Sequence, residues 1–211
     1  MARKDQLAAA DAALSKADPV MKALVKAHGP CEIPLRKIPG GHFGALARSI
    51  SYQQLAGRAA FAIHTRFVAL FDGGVPTPEA VVAMDDERLR SAGLSGSKAA
   101  SIRDLAERVV DGRLRLDTIA RQPDEQVIER LITVRGIGRW TAEMFLMFTL
   151  GRFDVWPIDD YGVRMGYARS HGLTDLKPKE LGALGEQYRP WRSVAAWYCW
   201  RAVEDKGLVA T

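Results

Sequence analysis

Three features of the sequence predict an all-α fold. Apolar residues recur at helical spacing from His42 almost to the C-terminal end, as in the face made by Phe43, Leu46, Ala47, Ile50 and Ser51. Helix start and stop signals stand between these stretches: Asp18-Pro19, Gly29-Pro30, Asp72-Gly73-Gly74, Ser95, Gly112, Pro123 and Gly172. Strand signals, meaning short alternating runs rich in β-branched residues, are nearly absent. With 47% hydrophobic and 26% charged residues, a chain of 211 residues has enough apolar material for a core in one or two domains.

The elements follow in order. Residues 5–17 are rich in good helix formers, and Pro19 suits the first turn of a second helix over 20–28. Residues 31–41 carry Pro34, Pro39 and Gly40-Gly41 and read as a loop. A helix opens at His42 and ends near Tyr52 to Leu55, and another covers 56–71. Residues 79–92 read as two short helices breaking at Met84-Asp85. Ser95 caps a helix that stops at Gly112, and residues 113–123 link it to the central motif. Three more helices are expected after Asp160, over YGVRMGYARSH, LKPKELGALGEQY and PWRSVAAWYCWRAVED.

The central stretch runs from Asp124 to Arg164. Val127, Ile128, Leu131, Ile132 and Val134 give the first helix its apolar face. Arg135-Gly136-Ile137-Gly138 breaks it, and a second helix follows with Ala142, Phe145, Leu146, Phe148 and the Thr149–Leu150 end on its apolar side. Gly136 and Gly138 are free to take positive φ and place no side chain between backbone and ligand. The N–H groups opening the second helix have no partner within it and carry the positive end of its dipole, which suits a phosphate oxygen. A GxG pattern alone is equally well a C-cap glycine followed by an ordinary turn.

VRGIGRWTAEMFL followed by DVWPIDDYGVR resembles the helix-hairpin-helix plus Gly/Pro…Asp signature of the DNA glycosylase superfamily named for it. Trp140, with Asp160 twenty positions later, is similar to the alkylpurine branch, the 3-methyladenine DNA glycosylase II type. Residues 42–60, 93–106 and 190–201 resemble that branch's helix and wedge loop, its GLS…K segment and its C-terminal helix. The resemblance implies two helical lobes with an active-site cleft between them. The expected lobes are residues 1–45 with 155–211, holding the terminal helices, and a helical barrel of 46–154 with the helix-hairpin-helix at 124–150. The larger bacterial form adds an N-terminal mixed domain, and the residues before His42 are too few for it.

The resemblance makes Asp160 the catalytic residue. Breaking an N-glycosidic bond develops positive charge on the sugar, and a fixed carboxylate stabilises it and orients or deprotonates a water. A rival reading makes Asp160 a helix N-cap, and that role is assigned here to its neighbour Asp159. Bifunctional members carry a lysine where this chain has Trp140; an indole forms no Schiff base, so base release without strand cleavage is expected. Core packing is the rival role for Trp140. Trp200 matches a second pocket tryptophan, Tyr52 lines the pocket, and Met144 stands where an aromatic is frequent. Indole faces attract a cationic alkylated purine by about 0.5–2 kcal/mol. Gln54 and Leu55 fall in the wedge loop that fills the gap left by an extruded base, with helix-end packing as their rival role.

Phosphate contacts are expected from Gly136, Ile137, Gly138, Arg139 and Lys98, with Arg192 a further candidate; the rival role, favoured for each cationic side chain taken alone, is a solvated surface charge or a local ion pair. No metal-ligating side chains are expected. The resemblance adds a monovalent cation, Na+ or K+, on hairpin carbonyls near Val134 and Gly136. Two distant cysteines, Cys31 and Cys199, exclude a disulfide framework, a zinc cluster and the four-cysteine iron–sulfur cluster of some relatives. No redox or organic cofactor is needed.

The net charge of +5 permits a polyanion partner without proving one. No secretory signal and no membrane-length apolar run is seen, so a cytoplasmic, nucleoid-associated monomer acting on double-stranded DNA with a damaged base is expected. The sequence thus points to a monofunctional glycosylase of alkylated purines in base excision repair. Its alternatives are a glycosylase of the same fold for deaminated or other damaged bases, and a non-catalytic helix-hairpin-helix DNA-binding module.

Overall fold

The computed structural model describes residues 2–204. Among these residues the regular structure is entirely helical, as the sequence predicts. The described residues form two compact units, one made of those up to 35 and those from 151 on, the other of residues 36–150. These boundaries lie earlier than the expected 45/46 and 154/155. A break after residue 45 would cut one uninterrupted helix, Gly41–Tyr52.

The unit built from both chain ends holds α1 (Arg3–Ala17), α2 (Pro19–His28), α10 (Tyr161–Ser170), α11 (Pro178–Leu184) and α12 (Arg192–Glu204). Asp18 caps α2 by accepting from Val20 N–H at 2.7 Å, with Pro19 in the first turn. α12 is the central helix: Ser193 through Cys199 and Ala202 are all buried, so it is packed on nearly every side. α10 lies against it at very short range because residue 166 is glycine. A Cβ there would sit 1.9 Å from the Cys199 carbonyl oxygen. Both cysteines are buried, and burial pushes the Cys31 thiol up to about 12 and the Cys199 thiol upward too. They behave as small apolar residues.

The second unit holds α3 (Gly41–Tyr52), α4 (Gly57–Val68), α5 (Pro78–Ala83), α6 (Asp86–Ser91), α7 (Gly96–Val110), α8 (Asp124–Leu131) and α9 (Arg139–Phe148). Met84 closes α5 and Asp85 caps α6 through Arg88 N–H at 2.7 Å, where the sequence predicts the break. Ser95 caps α7, and Phe43, Leu46, Ala47, Ile50 and Ser51 form the buried face of α3. Leu46, Ile50, Ile102, Leu105, Val127, Leu131, Phe145 and Leu146 make the core. α8 ends one residue before Ile132, so Ile132 is exposed instead of joining the apolar face. Val134, beyond the helix, turns back inward and is buried.

Candidate active site

Asp160 stands at the start of α10 and its side chain is 8% exposed. One carboxylate oxygen, Oδ1, accepts from Val163 N–H at 2.8 Å and from the Trp200 indole N–H at 2.9 Å. Asp160 therefore is the N-cap, with the extended backbone (φ −71°, ψ 117°) that a cap requires. This corrects the division of roles expected from sequence: Asp159 is exposed and Asp160 both caps the helix and presents the carboxylate. The cap is a means of aiming. A carboxylate bound by a backbone N–H at one fixed register loses most of its rotamer freedom. Gly162 makes room for the second donor, since a Cβ there would lie 2.8 Å from Trp200 Cδ1 and 3.2 Å from Asp160 Oδ1. Trp200, expected in the base pocket, donates its indole N–H to Asp160, which makes it a positioning residue for that carboxylate.

In the second unit, the hairpin between α8 and α9 is a tight turn closed by Ile137 N–H donating to the Val134 carbonyl at 3.1 Å. Gly136 has φ +75°, and a Cβ there would also meet Ser101 Oγ at 2.6 Å, so glycine is needed on two counts. Gly138 is different. It caps α9 with φ −95° and ψ 174°, an extended conformation open to any residue, and a Cβ there meets nothing within 4 Å. Its use lies in bare backbone at the opening of α9, not in positive φ as the sequence reading expects. Ile137 is buried, so its side chain anchors the turn and its N–H closes it.

Beside the hairpin lies a hollow of about 720 Å³. Tyr52, Gln54, Gly136, Gly138, Trp140 and Met144 all line it, so the structure brings the end of α3 and its loop together with the hairpin stretch. Trp140 is 46% exposed, which rules out its core-packing role. Gln54 has φ +55°, a left-handed conformation that costs a non-glycine residue about 1 kcal/mol or more. Its loop, between α3 and α4, also exposes Leu55 (39%). Tyr52 carries the Arg48 guanidinium 4.0 Å over its ring and meets the His64 ring edge-on.

Gln53 carries no sequence signal of its own. Its side-chain amide donates to the Gly136 carbonyl at 2.8 Å and lies 3.5 Å from Thr141 Oγ1, tying the Gln54 loop to the hairpin. Nothing local marks Gln53 for this, because its acceptor is 83 residues away. Arg36, Arg48, Thr141 and Phe148 also line the hollow without a sequence signal.

The cationic side chains selected as phosphate contacts have other partners. Arg139 forms a bidentate pair with Glu125 (2.7 and 3.1 Å) and reaches Glu143 at 3.2 Å, which clamps α8 to α9 across the hairpin. Lys98 donates to the Ser51 carbonyl at 2.8 Å, satisfying an end carbonyl of α3. Arg192 pairs with Asp154 at 2.7 Å. The acceptor is buried for Lys98, at Ser51, and for Arg139 at Glu143, so there the cation satisfies a group cut off from water; Glu125 and Asp154 are more exposed.

Among the described residues no group of three or more His, Cys, Asp or Glu could hold a metal, and no helix is long and apolar enough to cross a membrane. The Val134 and Gly136 carbonyls each accept one hydrogen bond, from Ile137 and Gln53. A carbonyl oxygen has two lone pairs, so both still fit a hard monovalent cation.

A family model for the HhH-GPD superfamily of base excision DNA repair proteins matches residues 47–190. The chain belongs to that superfamily. Within it, the chain is 39% identical over 202 residues to DNA-3-methyladenine glycosylase 1 of Schizosaccharomyces pombe, covering 92% of this chain and 87% of that protein. Among solved structures it is similar to the 3-methyladenine DNA glycosylase of the same yeast in complex with abasic DNA. The TM-score is 0.83 at 36% identity, over 95% of this chain and 99% of that one. It is also similar to a DNA-3-methyladenine glycosidase from Bacillus halodurans, with a TM-score of 0.81 at 33% identity, over 95% and 89% of the two chains. The matched span includes the glycine hairpin at 135–138 and Asp160.

Proposed function

We propose that this protein is a monofunctional DNA glycosylase that hydrolyses the N-glycosidic bond of alkylated purines and so starts base excision repair. The observation that carries this reading is Asp160: a buried carboxylate held by Val163 N–H and the Trp200 indole, in a chain 39% identical to a DNA-3-methyladenine glycosylase. A carboxylate so held needs no reorganisation as charge develops, which is the condition for electrostatic catalysis.

The reaction follows from the residues. The bond between the sugar's anomeric carbon and the base nitrogen breaks, and the electron pair leaves with the base. Asp160 stabilises the cationic sugar, orients water toward the anomeric carbon and accepts the proton that water loses. The exposed Trp140 supplies an aromatic surface for the extruded base, with Met144 beside it in the hollow. Gln54 and Leu55 stand in for the missing base in the duplex; the strained φ of Gln54 supports a side chain held out from its loop. The opening of α9, bare at Gly138, receives a phosphate. A Na+ or K+ on the Val134 and Gly136 carbonyls would add positive charge there. No lysine lines the hollow, which supports base release without a covalent sugar adduct.

The test is base release from duplexes carrying 3-methyladenine, 7-methylguanine, hypoxanthine, uracil or 8-oxoguanine, with borohydride present in a parallel arm. Release of the methylated purines without a trapped adduct is expected. Release confined to the deaminated or oxidised bases, or a trapped adduct in good yield, would overturn the reading.

A further inference from the structure

The hollow beside the hairpin holds two guanidiniums, Arg36 and Arg48, and no carboxylate lines it. Arg36 Cζ lies 5.0 Å from the centre of the Phe148 ring, and Arg48 Cζ lies 4.0 Å from the centre of the Tyr52 ring. The Arg36 backbone is anchored by its N–H on the Phe148 carbonyl at 2.7 Å. Among the described residues neither guanidinium has a hydrogen bond or an ion pair. Five other arginines of the same unit, Arg103, Arg108, Arg113, Arg115 and Arg139, each hold a carboxylate. What marks the pair at the hollow is that both line one concave site with no carboxylate in its lining.

Two like charges gathered in one concave site without a counterion repel each other, and a bound anion removes the repulsion. Burial, with the Arg48 charge behind it, lowers the proton affinity of Arg36, yet an arginine stays charged throughout the physiological range. The planar fork of a guanidinium matches two oxygens of a phosphodiester. Gly136 and Gly138 line the same hollow and bring the opening of α9 to it. Two separate anion-binding groups in one hollow suit successive phosphates of a chain better than a single small ion.

We propose that Arg36 and Arg48 form a phosphate seat, gripping the DNA backbone beside the nucleotide that the enzyme extrudes. The choice of DNA rests on the proposed function; the seat itself rests on the hollow. It also limits what the pocket does. One face of the Tyr52 ring and one of the Phe148 ring already carry the protein's own cations, and a positively charged base would meet like charge there. Attraction for a cationic purine in this hollow therefore falls to Trp140.

The experiment measures binding to a duplex with a non-hydrolysable tetrahydrofuran abasic site, as log K against log salt concentration. Each phosphate that is no longer neutralised reduces the slope by about 0.9. Arg36→Gln and Arg48→Gln are each expected to reduce it by about that amount, and the double variant by about twice that. Arg36→Lys and Arg48→Lys keep the charge and are expected to keep the wild-type slope. An unchanged slope in the double Gln variant overturns the seat. So does a Lys variant that behaves like its Gln counterpart, because that marks a packing role. If Arg48→Gln fails to fold, Arg36→Gln decides the matter alone. Because the duplex cannot be cleaved, the two readings separate. Reduced slopes with no base release from any lesion sink the proposed function and keep the seat, and unchanged slopes with normal base release do the reverse.

Discussion

The surroundings of Asp160 and the hollow of Trp140 are built on opposite plans. At Asp160 the local needs are met within the fold: one carboxylate oxygen has two donors, glycines at 162 and 166 admit the neighbouring helix, and the group is buried. At the hollow they are not met: two guanidiniums lack carboxylates, Gln54 holds a left-handed backbone, and a large indole faces solvent. The first arrangement suits a reacting group, whose geometry must precede the substrate. The second suits a binding surface, where strain and uncompensated charge are relieved only when a ligand arrives.

The largest expected effect tests the prepared region. Asp160→Asn keeps an oxygen acceptor for Val163 and Trp200, and Asn is as good an N-cap as Asp. Single-turnover base release from a methylated duplex should fall by roughly 100-fold or more, with a melting temperature within a few degrees of wild type. A variant that melts early would mean that the carboxylate serves folding first.

Next comes the hairpin. The sequence alone suggests that Gly136→Val weakens DNA binding and spares the fold. The structure reverses that, because the added Cβ would lie 2.6 Å from Ser101 Oγ at positive φ. A loss of about 2–4 kcal/mol in denaturant unfolding is expected. Gly138→Val has open space at its Cβ and an accessible φ, so it should unfold normally and still lose DNA affinity in a fluorescence titration. Equal stability losses in the two variants would contradict this account of the turn.

A smaller effect concerns pH. Burial, with Arg48 behind it, lowers the His64 pKa to about 4 from an ordinary 6.5, and its Nδ1 is buried without a hydrogen-bond partner. The unfolded chain therefore takes up this proton first as pH falls. The His64 contribution is complete above pH 6.5 and is lost as pH drops toward 4, by on the order of 2 kcal/mol. Urea unfolding across that range should show this loss in wild type and a flatter profile in His64→Gln.

The smallest effect sharpens the link between loop and hairpin. Gln53→Ala removes the 2.8 Å bond to the Gly136 carbonyl and should cost about 1 kcal/mol of stability. Affinity for abasic DNA should fall several-fold if the Gln54 loop is held in place through this bond. Unchanged affinity in gel-shift titrations would leave Gln53 with a structural role only.

The helices were legible because their causes are local. Asp18-Pro19, the Met84-Asp85 break, Ser95 and the α3 face from Phe43 to Ser51 all act within a turn or two of chain. The hairpin and Asp160 were legible because a contiguous motif carries both. What sequence does not disclose involves partners far along the chain or fine backbone detail. Trp200 reaches Asp160 across 40 residues, and Arg139 finds Glu125 on the preceding helix. Which of Asp159 and Asp160 caps α10 depends on a backbone angle at one residue. Arg36 carries no local signal, and only folding sets it beside Phe148 in the hollow with Arg48.

The amino-acid order by itself determined an all-helical protein with a glycine hairpin and an aspartate opening a late helix, because helix propensity, caps and positive φ are properties of short stretches. Tertiary structure decided which charges are neutralised and which are left facing a hollow. That choice turns on distances between residues remote in sequence, and electrostatic energy depends on separation and burial, not on position along the chain.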